Sequence, residues 1–388
     1  MNVDVIVAIM LLGVFWLLIK WLKRSKSNVH YKMASNSNIK ISSPVTPSLN
    51  KVVDDTHNES NQRLNKPFST LDVEDVTDNF LNFELFKSDS ISIEKQNTIS
   101  DIAQSFRRPH PLLLPLAQRS FEPNELFDLI KTDAEITAKI LKEVNSARFS
   151  LMQPITNINH AILFLGVIPV KTIAMQLAIQ SDVKFENKEQ NKAYKKLWTA
   201  SYLSSSFCSL IAKKMNEDNS AELSTCCLLS YLGDLALLSY DPTVAEYYNE
   251  DHTFFERTQY IQNKYGVNSG IIGKFIAKQW QLPESIALGI DNSLLMITNN
   301  RELTKLSVTE LKKLVLCYLA CRLSDLVAFQ GINTLPELNE VSYDAIGRVE
   351  FYYLQRHIEQ ANLAGINQLI AEPTLRIKLN KLIAQLEP

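Results

Sequence analysis

Few side chains in this sequence have the type and spacing that metal-dependent or nucleophilic chemistry requires. A metal site needs several imidazole, thiolate or carboxylate groups that converge on one point. No phosphate-binding G-x-x-x-x-G-K loop, dinucleotide-binding G-x-G-x-x-G loop or G-x-S-x-G nucleophile motif is present. The histidines are scattered, and none has a second histidine one helical turn away: His30, His57, His110, His160, His252 and His357. We therefore predict no catalytic residue, no cofactor and no metal site.

The five cysteines form no paired C-x-x-C pattern, and their odd number does not suggest a disulfide framework. Reduced thiols of a cytosolic domain are the simplest interpretation. Cys226 and Cys227 are adjacent, so on a helix they point about 100° apart and cannot easily chelate one ion together. Cys317 and Cys321 are one turn apart on an apolar stripe, which favours packing in the core.

Composition and charge limit the fold and the partners. The chain of 388 residues has 40 basic and 42 acidic side chains, and this balance argues against a dedicated nucleic-acid binder. Apolar residues make up 46% of the chain, whereas there are only 10 glycines and 14 prolines. The apolar content is enough for a sizeable core, and so few turn residues are atypical of an all-β fold.

The N-terminus carries an apolar run that predicts a transmembrane helix over residues 1–24. Val5–Ile19 is uninterrupted, and Trp21 and Leu22 extend it to nearly the length that spans a bilayer. A cleaved signal peptide is the alternative, but no basic residue precedes the run and no A-x-A follows it. Positive charges follow it, which places the remaining chain in the cytoplasm; they are Lys20, Lys23, Arg24 and Lys26.

Residues 25–98 lack a sustained helical or strand period and are rich in Ser, Asn, Thr and charged residues. This composition predicts a disordered cytoplasmic linker. One apolar island, Val76–Phe86, interrupts it. Two interpretations are open: a short helix that binds a partner, or a segment that docks on the protein's own core.

From Ile99 onwards the apolar residues recur with a helical period, which predicts an all-α bundle. The prolines of Arg108–Leu114 predict an extended entry segment. Thr132-Asp133-Ala134-Glu135 has the pattern of a capping box, and the helix that it begins would end at Asn145-Ser146. The pattern of residues 301–388 predicts a helical extension packed on this core, with Arg348, Arg356 and Glu359 on a solvated face.

Several motifs in this region, taken in order, resemble the HDOD domain (HD-related output domain) of bacterial signalling proteins. The resemblance covers about residues 100–300, and we assign residues 99–300 to this domain. It rests on a proline-flanked leucine segment, the stretch around N-S-A-R-F, an I-x-x-A-I-x-x-L-G motif, a Leu-Trp pair and a W-x-L-P segment: Pro111–Pro115, Asp133–Phe149, Ile158–Gly166, Leu197-Trp198 and Lys278–Ile286.

The resemblance also implies a relation to HD-type metal phosphohydrolases, whose site uses His and Asp ligands. The positions that would carry these ligands hold other residues here: Ala200, Ser230, Tyr231, Ser269 and, near the last of them, Ser293-Leu294. Asp234 lies one helical turn from the position of the signature aspartate, and one carboxylate alone binds metal weakly. We therefore predict that the domain is not an enzyme.

The resulting hypothesis is a non-catalytic signalling module at the inner face of a bacterial inner membrane. It would bind a protein partner or a small ligand, and Asn145, Ser146 and Asp234 are the candidate residues of a binding groove. For Asn145, a helix C-cap near the left-handed conformation is the structural alternative. The alternative functions are an HD-type phosphohydrolase and a structural protein that organises the membrane.

Overall fold

The computed structural model describes residues 66–384, except residues 107–108, 119, 147–150, 152, 180–184, 186, 300–305 and 336–337. The predicted membrane helix at residues 1–24 lies outside the described residues, and so does the predicted linker up to residue 65.

The described residues form α-helices joined by short 3₁₀ turns, with no strand among them, which confirms the predicted all-α class. The α-helices are α1 (Asp78–Leu81), α2 (Ile93–Ser105), α3 (Leu113–Gln118), α4 (Pro123–Ile130), α5 (Ala134–Val144), α6 (Ile158–Leu165), α7 (Val167–Ile179), α8 (Lys188–Lys214), α9 (Ser220–Leu229), α10 (Leu232–Tyr240), α11 (Phe254–Tyr265), α12 (Ser269–Gln279), α13 (Glu284–Asp291), α14 (Val308–Ala328), α15 (Tyr343–Ile346), α16 (Leu354–Gln360), α17 (Ile366–Ala371) and α18 (Pro373–Ala384).

Side-chain caps fix where several of these helices begin. Asp133 caps α5, because its carboxylate accepts the backbone N–H of Ile136 at 2.8 Å. The capping box predicted at Thr132 is therefore wrong by one residue. The extended segment predicted over Arg108–Leu114 is also wrong at its end, since Leu113 begins α3. Pro115 lies in the first turn of α3, where its missing N–H removes no intrahelical hydrogen bond.

Two long helices form the centre of the molecule. α8 and α14 lie side by side, and α7 and α9 pack against α8. α14 follows the predicted boundary at residue 300, so the C-terminal extension contributes a central helix to the body. The stretch Ser220–Tyr240 is apolar and long enough to cross a membrane, but 83% of its most apolar part is buried inside the protein. In this fold it is α9 and α10, two helices of the core.

The linker predicted over residues 25–98 is too long at its C-terminal end, because residues 66–98 pack against the helices. Phe80 is only 2% exposed, and its ring lies 5.1 Å from that of Phe255 and 5.6 Å from that of Tyr353. The Gln262 side chain holds the backbone of this segment, because its Oε1 accepts the Phe86 N–H at 2.8 Å. The island Val76–Phe86 thus docks on the protein's own core, the second of its two interpretations.

The solvated face predicted for Arg348 is wrong. Arg348 is buried, and its Nη1 lies 3.0 Å from Glu74 Oε1 and 3.0 Å from the carbonyl oxygen of Asp72. The sequence prediction missed this pair because Glu74 lies in the stretch read as linker. Arg356 and Glu359 are exposed, as predicted.

Candidate functional site

Of the positions where the resemblance would place metal ligands, two lie on the helices α8 and α12, and two lie in the turn between α9 and α10. Ala200 is fully buried on α8, and Ser269 is buried at the first turn of α12. The Ser230 hydroxyl donates to the carbonyl oxygen of Cys226 at 2.7 Å, so it caps its own helix. None of these three side chains offers an imidazole or a carboxylate.

Tyr231, at the position of the signature aspartate, points into the protein and belongs to a buried polar cluster. Its hydroxyl donates to Asp325 Oδ1 at 2.9 Å and lies 3.2 Å from the carbonyl oxygen of Cys321. Asp325 also pairs with Arg322 Nη1 at 3.1 Å and with Arg257 Nη2 at 3.6 Å. Burial is the main cause that raises the pKa of the Tyr231 phenol well above its usual value. Tyr231 is therefore a neutral hydrogen-bond donor here.

The two arginines of this cluster lie against aromatic rings. The Arg322 guanidinium is 3.2 Å from the centroid of Phe254, and the Arg257 guanidinium is 4.4 Å from that of Phe329. Stacking on aromatic faces suits the planar guanidinium and partly replaces its hydration. The cluster of Tyr231, Asp325 and the two arginines therefore consists of one anion, two cations and a phenol, and this composition does not suit a metal cation.

Asp234 lies beside this cluster but is used within the fold. Its Oδ1 accepts the Tyr248 hydroxyl at 2.7 Å. Burial raises the pKa of the Asp234 carboxyl, while the Arg257 charge opposes that shift. Among the described residues, no group of three His, Asp or Glu side chains converges here as metal ligands would.

Asn145 and Ser146 lie at the end of α5, and no hydrogen bond or ion pair among the described residues joins them to Asp234. The Asn145 Nδ2 donates to the carbonyl oxygens of Leu141 and Ile155, both at 2.7 Å, and its Oδ1 accepts the Ile155 N–H at 2.7 Å. Asn145 is the C-cap of its helix, as the structural alternative predicted, but its φ is −88°, so the expected left-handed conformation is wrong. The amide instead links the helix end to the following segment.

Asn145→Ala is expected to lower the free energy of unfolding by about 1–3 kcal/mol, because it leaves the backbone groups of Ile155 without partners. The matched control is Asn82→Ala, an exposed helix C-cap whose amide makes one local bond to Asp78. Urea denaturation followed by circular dichroism measures the free energy of unfolding of both variants and of the wild type. Equal stability losses in the two variants would contradict the role of Asn145 in holding Ile155.

Comparison with protein families identifies the domain that the central helices form. Residues 111–293 match the family model of the HDOD domain. The chain carries an HDOD domain. The match begins at Pro111, the first residue of the leucine segment, and ends at Ser293, so it lies inside the range predicted from the motifs.

The solved structures that resemble this chain are distant. One is an HDOD domain protein of unknown function from Geobacter sulfurreducens, with 17% identity, coverage of 74% of this chain and 98% of that chain, and a TM-score of 0.43. Another is a provisionally assigned phosphohydrolase from Shewanella amazonensis, with 16% identity, coverage of 76% and 99%, and a TM-score of 0.45. A response regulator from Methylococcus capsulatus has 18% identity, coverage of 71% and 96%, and a TM-score of 0.36. These likenesses are too distant to carry an argument, and no curated protein matches the chain.

The HDOD domain contains an apolar cleft that the sequence motifs did not reveal. Its cavity volume is about 30 Å³, and Phe106, Tyr194 and Trp198 are among its lining residues. Gln176 also lines it: the side-chain amide donates to Ser201 Oγ at 2.6 Å and to the Trp198 carbonyl oxygen at 2.9 Å. The buried Oε1 of Gln176 accepts no hydrogen bond from the described residues. The cleft thus has aromatic walls, and a buried acceptor without a partner lies behind them.

Glu350 borders a second, much smaller cleft, of about 10 Å³, beside the Tyr231 cluster. Arg257, Asp325 and Arg348 line it as well. Burial raises the pKa of the Glu350 carboxyl from 4.5 to about 8, and the nearby Glu74 charge adds to this effect. Glu350 is therefore mostly protonated at neutral pH.

The raised pKa of Glu350 predicts a loss of stability as the pH rises. Between pH 4.5 and about 8 the folded state holds a proton that the unfolded state releases, so unfolding becomes easier with increasing pH across that window. From pH 5 to pH 8, the ionisation of Glu350 should lower the free energy of unfolding by about 2–4 kcal/mol. Glu350→Gln should remove most of this loss. Urea titrations at several pH values measure it, with the exposed Glu359→Gln as the control. If the free energy of unfolding falls with pH as steeply in Glu350→Gln as in the wild type, Glu350 is not the group responsible.

Proposed function

We propose that this protein is a non-catalytic signalling module that binds a protein partner or a small ligand through its HDOD domain. One observation carries the proposal: Tyr231, at the position of the signature aspartate, is hydrogen-bonded to Asp325 inside a buried cluster with two arginines. The side chain of Tyr231 occupies space that a metal ion and its substrate would need.

The chemistry of phosphoester hydrolysis gives the physical reason. A metal-activated water needs a cation held by several converging ligands, with an open coordination position for the water. Here alanine, serine and tyrosine stand at the expected ligand positions, and the arginines Arg257 and Arg322 would repel a cation. Asp234 is engaged by Tyr248 and cannot replace four ligands.

The experiment compares the full chain in detergent with its Asp234→Asn variant. Each is incubated with Mg²⁺, Mn²⁺ or Fe²⁺ and with cyclic dinucleotides, nucleoside triphosphates or a chromogenic phosphodiester. We expect no turnover above the variant's background. Turnover that depends on metal and is lost in a folded Asp234→Asn protein would replace this proposal with the phosphohydrolase function.

The apolar cleft supports the small-ligand form of the proposal. The cavity of about 30 Å³ is smaller than an aromatic ring, so a ligand must displace side chains at its open mouth. A small flat ring with an N–H or O–H donor would then stack on Trp198 and donate to Gln176 Oε1. Indole is a suitable probe, and we expect it to raise the melting temperature and to change the tryptophan fluorescence. Gln176→Met keeps the size of the side chain but removes the acceptor, so indole should bind it more weakly while benzene binds both proteins equally. Absence of any indole effect would favour a protein partner.

The sequence supports a location at the membrane as part of the same proposal. The apolar run Val5–Ile19 and the basic residues after it would anchor the protein with its HDOD domain in the cytoplasm. An alkaline phosphatase fused to the C-terminus should be inactive in cells, and a β-galactosidase fusion active. The opposite pattern would overturn this topology. Docking of Val76–Phe86 on the core leaves the membrane-organising alternative without its predicted binding segment.

A further inference from the structure

All five cysteines of the protein meet in one region of the core, although they are spread over more than a hundred residues of sequence. Cys208 lies on α8, Cys226 and Cys227 lie on α9, and Cys317 and Cys321 lie on α14. All five are buried and none forms a disulfide. The three helices are neighbours at the centre of the molecule, so the cysteines lie where the most extensive helix packing occurs.

Three of the sulfur atoms converge on one point. The Sγ atoms of Cys208, Cys227 and Cys317 lie within 4.8 Å of one another, and each comes from a different helix. In a zinc–thiolate site the metal–sulfur distance is about 2.3 Å, which places neighbouring sulfurs about 3.8–4.0 Å apart. A contraction by less than about 1 Å would bring the three sulfurs to that spacing.

The rest of the cysteine region does not provide another set of ligands. The Cys321 Sγ lies 3.9 Å from the Cys227 carbonyl oxygen, and the Cys226 side chain faces Gly289. The group of converging ligands consists of cysteines alone, with no described His, Asp or Glu in it. Thiolates without oxygen or nitrogen ligands select thiophilic cations over Mg²⁺ or Ca²⁺.

We propose that Cys208, Cys227 and Cys317 bind one thiophilic d¹⁰ cation, Zn²⁺ or Cu⁺. Binding forms three metal–sulfur bonds and releases the thiol protons to solvent, with no change in oxidation state. Three thiolates complete a trigonal Cu⁺ site, whereas Zn²⁺ would take a water molecule as its fourth ligand. The site is distinct from the HD-type position, because the Tyr231 cluster contains no thiol ligand. The bound ion would link α8 and α9 of the HDOD domain to α14 of the C-terminal part.

The test uses the full chain in detergent, purified under reducing conditions and stripped with a chelator. One arm titrates Zn²⁺ against a chromophoric zinc chelator, and the other titrates Cu⁺ against a Cu⁺-specific chelator under anaerobic conditions. We expect one equivalent of one of the two ions per chain. The arm with the tighter binding identifies the ion, and binding in neither arm overturns the proposal.

Cysteine variants then locate the site. Cys208→Ala, Cys227→Ala and Cys317→Ala should each weaken binding more than about 100-fold, because each removes a direct ligand. Cys226→Ala is the matched control, since its sulfur is outside the converging group, and it should bind as the wild type does. Equal affinity in all four variants would overturn the proposal. If an alanine variant does not fold, Co²⁺ is added to the wild type and to Cys226→Ala, because thiolate ligation gives an intense sulfur-to-cobalt charge-transfer band. We expect the same band in both proteins, and its absence from the wild type or its loss in Cys226→Ala would overturn the proposal.

Discussion

Asp325→Asn is expected to lower the free energy of unfolding by about 3–5 kcal/mol, among the largest effects of a single substitution in this protein. Asp325 is 4% exposed and is the carboxylate that pairs with both Arg257 and Arg322. The amide keeps the shape of the side chain and its bond to Tyr231, but it removes the negative charge. Two buried guanidinium groups then lack their counter-charge, and stacking on Phe254 and Phe329 does not replace it.

Chemical denaturation of the full chain, followed by circular dichroism, measures this loss. The matched control is Asp128→Asn, which breaks an exposed ion pair with Lys131 and should cost less than about 0.5 kcal/mol. Losses of similar size in the two variants would contradict the view that the buried cluster, and not charge pairing in general, stabilises this region. Replacing Arg322 with Met in the Asp325→Asn background should recover part of the stability, because one of the unpaired charges is then gone.

The second large effect is expected for Gly233→Ala. A Cβ atom at this position would lie 1.9 Å from the carbonyl oxygen of Ser269 and 2.7 Å from its carbonyl carbon. Both atoms belong to the backbone of α12, so no side-chain rotation can relieve the clash, and α10 must move away from α12. We expect a loss of about 3 kcal/mol or more, at the upper end of what overpacking costs.

Gly365→Ala is the control for this substitution. Its Cβ would meet no atom closer than 3.7 Å, and its φ of −79° suits any residue. Its melting temperature should stay close to that of the wild type. A Gly233→Ala protein that melts with the wild type would show that α10 and α12 can separate at little cost, contrary to the close contact in the structure.

The sequence by itself determined the secondary structure class and the family, because both depend on local features. Apolar residues with a helical period and the N-S-A-R-F stretch are visible in short windows, and so is the replacement of the expected ligands by Ala200, Ser230, Tyr231 and Ser269. Boundaries were less certain. Thr132 and Asp133 are both good cap residues, and only the backbone geometry selects Asp133.

Only the tertiary structure decided which distant residues meet. The Tyr231 hydroxyl finds Asp325 94 positions later, and Glu74 finds Arg348 274 positions later. A local hint existed in Arg322 and Asp325, two charges one turn apart in the largely apolar second half of α14, but it does not name their partner Arg257. Burial of Phe80 likewise depends on Phe255 and Tyr353, so the composition around it suggested a linker.

The cysteines illustrate the same division. The sequence correctly predicted that the side chains of Cys226 and Cys227 point in different directions. It also favoured a core position for Cys317 and Cys321, and the structure buries both. It could not place Cys208 beside Cys227 and Cys317, because their meeting depends on how α8, α9 and α14 cross. Periodicity fixes which face of each helix is buried, whereas the packing of three helices fixes which side chains share one point.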